Sequence, residues 1–275
     1  MSGDDRRQLS LLRPGEHHAR PDQVRILTFN VQHANLARSR RQADWLAAQD
    51  ADVVVLTEVT PGAHAITQAL GEHGFTVHLG DDGGADYLTV VASRIGKQEP
   101  VPRIRPGYLP HRCGAIRVHL DDGSSVGVVG LYVPSRGPQE RRNVDKRLFQ
   151  DAVAELLPAL ADDLAVTGPI VIAGDLNVVE RGHQPHHAVF GRWEYGFYDA
   201  FAAAGYGDAF RHHHPELVDH SWYGRRSGAG YRFDHIFSSP VDAIADCRYV
   251  HEPRISGLSD HAAMTAIVTL PTGTL

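Results

Sequence analysis

Apolar residues along this chain gather in short runs that end at polar side chains, and this pattern predicts most of its secondary structure. The run at residues 169–174 is rich in β-branched residues, which is typical of a buried strand, and Asp175 and Asn177 follow it two positions apart. Because residues i and i+2 of an extended segment point to the same side, these two side chains are expected to project together. Further strands are predicted at residues 24–29, 52–57, 75–79, 87–93, 100–105, 113–119, 125–132, 231–237, 243–250 and 262–270.

The segments between these strands carry helix signals and turn residues. Helices are predicted at residues 40–49, 61–70, 139–160 and 197–204. No Gly/Ser-rich linker interrupts the pattern, so we predict one domain over residues 23–271, preceded by a mobile polar tail at residues 1–22. The predicted fold class is α/β: a four-layered sandwich of two packed mixed β-sheets with helices on the outer faces.

Composition narrows the class of protein without fixing its substrate. The 275 residues are 42% hydrophobic and 22% charged, as in soluble globular proteins, and no apolar run approaches the ~20 residues that span a bilayer. The chain shows no apolar signal core and has only Cys113 and Cys247, so we expect a cytoplasmic protein with no membrane partner, and a monomer. The net charge of −6 weighs against a nucleic-acid partner but leaves room for a local basic patch.

Polar side chains that follow separate apolar runs form a second pattern. Seven such residues are Asn30, Glu58, Asp175, Asn177, Asp234, Asp260 and His261. Oxygen ligands of this kind suit a hard cation such as Mg²⁺ or Mn²⁺, with Glu58 as the main ligand, and several carboxylates at one point need a cation or a shared proton. The pairing of His261 with a carboxylate predicts an imidazole held protonated against developing phosphorane charge. Each residue alone would equally fit a turn or a cap.

The order of these motifs along the chain resembles that of the endonuclease/exonuclease/phosphatase family. The blocks that carry the resemblance are Thr28-Phe29-Asn30, Leu56-Thr57-Glu58, Leu131-Tyr132-Val133-Pro134, Gly174-Asp175-Leu176-Asn177, Arg232-Phe233-Asp234 and Ser259-Asp260-His261. Within the family, residues 208–216 and the Ser221-Trp222-Tyr223 segment are most similar to the exonuclease III and AP endonuclease branch. The resemblance covers residues 24–270 and implies a DNase I-like fold and metal-dependent cleavage of phosphoesters.

Metal and substrate contacts are assigned to five residues in the light of this resemblance. Glu58 would bind the metal ion, with Asn30 and Asp260 assisting directly or through water. Trp222 would lie on a loop that enters the nucleic-acid groove, although a half-buried aromatic residue on a turn fits the same position. Arg136 is assigned to substrate binding, since the guanidinium fork suits phosphate.

Five further residues are implied in catalysis by the same resemblance. Asp175 would align or deprotonate the attacking water, and Asn177 would hold the scissile phosphate. Tyr132 would contact that phosphate or assist catalysis. His261, oriented by Asp234, would stabilise the transition state.

The substrate stays open between three hypotheses. The first is an exonuclease III-like nuclease or AP endonuclease that acts on DNA in repair. The second is a phosphatase or phosphodiesterase for a nucleotide, sugar or inositol phosphate. It is favoured by the acidic charge and by the Thr57-Glu58-Val59 motif, where the nuclease branch usually has glutamine before the glutamate and lysine after it. The third is a catalytically silent binding module on the same fold. Lys146 could support a phosphate site, but a solvated helix lysine is the favoured interpretation.

Overall fold

A computed structural model describes residues 22–60, 64–79, 86–136 and 140–271. The predicted tail at residues 1–22 lies outside the described residues except for Asp22, and so does the predicted helix start at Pro61. The bounds of the single domain, residues 23–271, stay a prediction.

The strands, numbered in chain order, form two large sheets and one short hairpin. The first sheet contains, in spatial order, β13 (Ile244–Val250), β14 (Ala263–Thr269), β1 (Gln23–Asn30), β2 (Val53–Val59), β4 (Leu88–Ser93) and β3 (Thr76–Leu79). The second sheet contains β5 (Lys97–Pro100), β6 (Cys113–His119), β7 (Ser125–Tyr132), β8 (Ile170–Asp175), β12 (Asp234–Ser239) and β9 (Gly207–Asp208). The short hairpin pairs β10 (Trp222–Tyr223) with β11 (Gly230–Tyr231).

Helices connect these strands. Within the described residues they are α1 (Leu36–Ala48), α2 (His64–Glu72), α3 (Glu140–Leu156), α4 (Leu160–Leu164), α5 (Arg192–Ala203), α6 (Ala209–His213) and α7 (Glu252–Ile255). Asn35 caps α1, because its side chain accepts a hydrogen bond from the Arg38 main-chain N–H, and the helix therefore begins four residues before the predicted position. In the described parts of the chain, none of the helices combines the length and apolar character that crossing a membrane requires.

The apolar core has three parts that define four layers. Valines of both sheets, among them Val55 and Val171, are buried in the central cluster between the sheets. Leu46 of α1 belongs to a second cluster with side chains from the outer face of the first sheet. Phe149 of α3 and Phe201 of α5 belong to a third cluster, with the outer face of the second sheet. The predicted four-layered sandwich of two mixed sheets with outer helices is confirmed.

Strand direction brings the motif residues to one edge. β1 runs parallel to β2, and β7 runs parallel to β8, so each pair presents its carboxyl ends together. β12 is antiparallel to β8, and its first residue, Asp234, lies opposite Asp175, which also lies opposite Tyr132 of β7. Three of the motif blocks therefore meet across adjacent strands of the second sheet.

Two strand predictions were wrong. The strand predicted at residues 100–105 lies earlier in the chain, at Lys97–Pro100. Val101 donates one further hydrogen bond to Ala115, and the chain then turns at Pro102, which has no N–H to donate to the sheet. The strand predicted at residues 231–237 is two strands, β11 and β12. The main-chain N–H groups of the two intervening residues, Arg232 and Phe233, donate instead to side chains, to His183 Nε2 over 3.1 Å and to Ser221 Oγ over 3.0 Å.

Candidate active site

A hydrogen bond between Asn30 and Asp175 joins the two sheets at this edge. The Asn30 amide donates to Asp175 Oδ2 over 2.9 Å, and both side chains are buried. Gly174, immediately before Asp175, has φ +146°, and a Cβ there would lie 1.9 Å from the Leu131 carbonyl oxygen. Glycine thus allows β7 and β8 to approach closely where the carboxylate is presented.

Glu58 reaches the same edge from the first sheet. The pairing of β2 with β4 shifts register between Leu56 and Val59, and Glu58 itself adopts a left-handed conformation with φ +56°. Such bulges re-aim a side chain, and here the Glu58 carboxylate accepts a 2.9 Å hydrogen bond from the Tyr132 hydroxyl. Tyr132 comes from the second sheet, so Glu58 also faces the interface between the sheets.

Asp234 and His261 form a buried pair. His261 Nδ1 lies 2.7 Å from Asp234 Oδ2, and the Asp234 main-chain N–H donates to Ser221 Oγ over 3.1 Å. Burial lowers the pKa of His261, but the Asp234 charge and hydrogen bond outweigh it and raise the pKa to about 10. The protonated form of the imidazole is therefore favoured.

Asp175 lies in a crowded acidic environment. Burial and then the charge of Asp234 raise its pKa to about 8, against the opposing charge of His261. Asp234 Oδ1 is buried and has no hydrogen-bond partner among the described residues. This excess of buried carboxylate oxygen fits a divalent cation, which would neutralise charge that the chain's own residues leave uncompensated.

Two groups of side chains could hold such an ion. Asp175, Asp234 and His261 each bring one ligand atom to within 4.8 Å of the others. The short Asp234–His261 hydrogen bond competes with that arrangement, since a protonated imidazole has no lone pair for a metal. Glu58 lies at the cleft surface, and the Tyr132 hydrogen bond uses only one of its two carboxylate oxygens, so we favour Glu58 as the primary ligand.

A cleft of about 600 Å³ opens over these residues. Seven of the ten predicted site residues line it: Glu58, Arg136, Asp175, Asn177, Trp222, Asp260 and His261. The other three are Asn30, Tyr132 and Asp234, whose exposed fractions are 3% or less and which hydrogen-bond to residues of the lining. The fold therefore brings all ten predicted residues together: seven line the cleft, and three lie behind them and hydrogen-bond to them.

Aromatic side chains form one wall of the cleft. Trp222 donates from Nε1 to Asp260 Oδ2 over 3.1 Å, and its ring centroid lies 5.7 Å from Phe233 and 5.5 Å from Tyr231. Phe190 continues the wall, 6.2 Å from Phe233. Trp222 is half-buried on β10, and its position in the lining agrees with a substrate contact.

The sequence did not identify several residues that the structure adds to the site. His33 and Arg225 line the cleft, and His33 lies beside Glu58. Lys146 was interpreted as a solvated helix lysine, and this was wrong: its side chain is 0% exposed and its ammonium donates to the Asn177 carbonyl over 2.8 Å. His33 lies three positions after Asn30, and this closeness to a predicted site residue is the sequence signal that could have identified it. Lys146 was named as a possible support of a phosphate site, but its burial could not be predicted because its partners come from distant segments.

Comparisons with known proteins agree with this geometry. A model of the endonuclease/exonuclease/phosphatase family matches residues 27–261. An exodeoxyribonuclease from Bacillus subtilis is 26% identical over 269 residues, which covers 90% of this chain and 100% of the relative. The family model extends across the motif blocks from the first strand to His261.

Solved structures share the fold. An AP endonuclease from Archaeoglobus fulgidus superposes with a TM-score of 0.72 at 22% identity, over 89% of this chain and 99% of that one. The 3′ phosphatase NExo from Neisseria, solved with a product DNA hairpin, has a TM-score of 0.69 at 23% identity, over 88% and 98% of the two chains. The predicted DNase I-like architecture is confirmed.

Proposed function

The chain belongs to the endonuclease/exonuclease/phosphatase family, and from that premise we propose that it is a divalent-metal-dependent phosphodiesterase that cleaves DNA. The observation that carries the proposal is the convergence of Glu58, Asp175 and His261 on one cleft, although they come from separate segments of the chain. An oxygen ligand can hold a metal ion, a carboxylate can accept a proton from water, and a protonated imidazole can stabilise developing negative charge, so together these groups suit metal-assisted hydrolysis.

Asp175 is the proposed base. Its raised pKa makes the ionised carboxylate a stronger proton acceptor than an ordinary aspartate. The water oxygen forms a bond to phosphorus, one water proton passes to the carboxylate, and the bond from phosphorus to the leaving oxygen breaks. The leaving oxygen then takes a proton from solvent. Asn177, whose amide is fixed by a 2.9 Å hydrogen bond to the Val133 carbonyl, would hold the phosphate.

His261 is proposed to stabilise the charge that develops on the phosphoryl oxygens. Its Nδ1 is committed to Asp234, which fixes the ring so that the opposite nitrogen can serve the substrate. Glu58 would hold a Mg²⁺ or Mn²⁺ ion, with Asn30 and Asp260 assisting, and Tyr132 would fix the Glu58 carboxylate. The bound ion would act as a Lewis acid on the phosphoryl oxygens.

DNA is the proposed substrate because the cleft combines stacking surfaces with cationic groups. Trp222, Tyr231 and Phe233 offer aromatic faces to a base or sugar, and Arg136 and Arg225 offer forks to phosphate. Two similar proteins support the same substrate, since one is named an exodeoxyribonuclease and the other, a 3′ phosphatase, was solved with a product DNA hairpin.

The cellular setting is part of the proposal. Cys113 and Cys247 are both free and buried, which fits a reducing compartment, and we place the protein in the cytoplasm as a monomer that acts in DNA repair.

Cleavage assays test the proposal directly. The protein is incubated with an abasic-site duplex and with a blunt duplex, in Mg²⁺, in Mn²⁺ and in EDTA. We expect cleavage in the metal-containing reactions alone, and a steep loss of DNA affinity with added salt. If no DNA is cut under any of these conditions, the nuclease assignment is wrong.

A small phosphoester is the second candidate, and the size of the cleft favours it. A volume of about 600 Å³ is in the range of pockets that enclose small ligands. Turnover of nucleotide or sugar phosphates in the same assays, without cleavage of either duplex, would select this candidate.

A further inference from the structure

The His33 side chain lies beside the Glu58 carboxylate at the cleft surface. His33 Nδ1 is 3.5 Å from Glu58 Oε2, and the two side chains are 54% and 19% exposed. The other carboxylate oxygen, Oε1, accepts the hydrogen bond from Tyr132. The oxygen that remains for an ion is therefore the one that faces the imidazole.

Main-chain hydrogen bonds fix this juxtaposition. Val31 N–H donates to the Thr57 carbonyl over 3.0 Å, and His33 N–H donates to the Glu58 carbonyl over 3.1 Å. Gln32, His33 and Glu58 have φ values of +51°, +39° and +56°. Left-handed conformations at three residues other than glycine are costly, and they persist where surrounding structure enforces them, often at functional sites.

Aromatic neighbours restrict the imidazole from the other side. The His33 ring lies 5.9 Å from Tyr87, and Tyr87 lies 6.0 Å from the Tyr132 ring, whose hydroxyl bonds Glu58. The ring therefore has a supported orientation even though half of it is exposed. An imidazole that is already positioned loses less entropy when it binds a ligand.

The Nδ1–Oε2 distance is long for a charge-assisted hydrogen bond, which is usually about 2.7–2.9 Å. It suits two ligands of one ion: with metal–ligand distances of about 2.1 Å, two neighbouring donors lie roughly 3.0–3.5 Å apart. We propose that His33 is a ligand of the same divalent ion as Glu58 and biases the site toward Mn²⁺ over Mg²⁺. This inference rests on the proposed metal-dependent function.

The bias follows from the chemistry of the ligand. Mg²⁺ prefers oxygen donors and retains its water, whereas first-row transition ions accept imidazole nitrogen readily. Removing the nitrogen should therefore weaken Mn²⁺ binding much more than Mg²⁺ binding. Neither an ion pair between His33 and Glu58 nor a contact between His33 and substrate phosphate predicts this difference.

Metal binding without substrate provides the test. Mn²⁺ affinity is measured by electron paramagnetic resonance titration of the full chain, Mg²⁺ affinity by competition, and nitrogen coupling to bound Mn²⁺ by pulsed resonance. The test variant is His33→Gly, since glycine adopts the left-handed conformation without strain, and His33→Asn is the second variant. The matched control is His119→Gln, because His119 lies 3.4 Å from Glu99, a similar pair outside the cleft lining.

We expect wild type and His119→Gln to show nitrogen coupling, and both His33 variants to lose it. The Mn²⁺ dissociation constant should rise about tenfold or more in the His33 variants, and that for Mg²⁺ less than about threefold. Coupling and Mn²⁺ affinity that persist in both variants would assign the nitrogen to another histidine, such as His261, and overturn the inference alone. A wild-type chain that binds neither ion would overturn the proposed function as well.

Discussion

The Lys146 ammonium donates a 2.8 Å hydrogen bond to the main-chain carbonyl of Asn177, deep beneath the cleft. The same ammonium lies 2.6 Å from one oxygen of Glu194, whose other oxygen lies 2.7 Å from an Arg136 guanidinium nitrogen. Two residues that line the cleft, Asn177 and Arg136, are therefore anchored by one buried ion pair. Asn177 adopts a left-handed conformation, φ +49°, which this anchor helps to maintain.

Substitution Lys146→Met should weaken both stability and catalysis. It leaves the buried Glu194 carboxylate with Arg136 and the Gly191 main-chain N–H as partners, and breaking a buried pair from one side costs about 3 kcal/mol or more. We expect that loss in the free energy of unfolding, measured with urea, and a lower kcat because Asn177 loses its anchor. The exposed lysine of the chain provides the control: Lys97→Met should change neither quantity. Equal stability of the two variants would contradict this role for Lys146.

Substitution Asp234→Asn should lower kcat with little change in KM. The carboxylate orients His261 and holds it protonated, so its loss removes charge stabilisation that develops in the transition state. A reduction of about 10²- to 10⁴-fold is expected from steady-state kinetics on a cleaved substrate. Asp219→Asn is the matched control, because Asp219 pairs with His251 at 2.9 Å and neither residue lines the cleft. A rise in KM at unchanged kcat would argue against the orienting role.

Substitution Glu180→Gln should destabilise the protein at neutral pH and much less in acid. Burial opposes ionisation of Glu180, but the Arg232 charge and the Arg211 hydrogen bond outweigh it and lower the pKa to about 2. This contribution is complete above the pKa of the unfolded chain, near 4.5, and is lost as the pH falls through about 2. Urea unfolding should show a loss of about 3 kcal/mol at pH 7 and about half that at pH 3. Glu99 provides the control: it is exposed and pairs with Arg117 at 3.2 Å, so Glu99→Gln should have a small effect on stability at both pH values.

Much of this site could be predicted from the sequence because a polar side chain directly after an apolar run indicates the end of a strand. Asp175 follows an apolar run, and the direction of neighbouring strands then determines which run ends meet. Lys146 could not be placed in the same way, since its burial depends on Glu194, on a different helix. His33 was missed because its position depends on left-handed backbone at Gln32 and His33, which neither periodicity nor composition reveals.

Boundaries failed where a contact with a distant segment overrode the local pattern. The Tyr231–Phe237 run predicts one strand, but the main-chain N–H groups of Arg232 and Phe233 donate to the His183 and Ser221 side chains, and the assigned strand begins only at Asp234. The register of β12 with β8 places Asp234, the first residue of β12, opposite Asp175 and so brings the two carboxylates together.

Substitution Asp175→Asn should abolish cleavage and raise the stability of the metal-free protein. Burial and the charge of Asp234 raise the pKa of Asp175 to about 8, so at pH 7 the folded chain must hold a proton that the unfolded chain releases, which destabilises the fold. Asparagine removes that penalty. It also loses an acceptor for Asn30, worth about 1 kcal/mol, so the expected net gain is roughly 1–3 kcal/mol. Thermal unfolding in EDTA measures the gain, with the exposed Asp242→Asn as the unchanged control. A lower midpoint for Asp175→Asn would mean that the hydrogen bonds of the carboxylate outweigh the repulsion within this cluster.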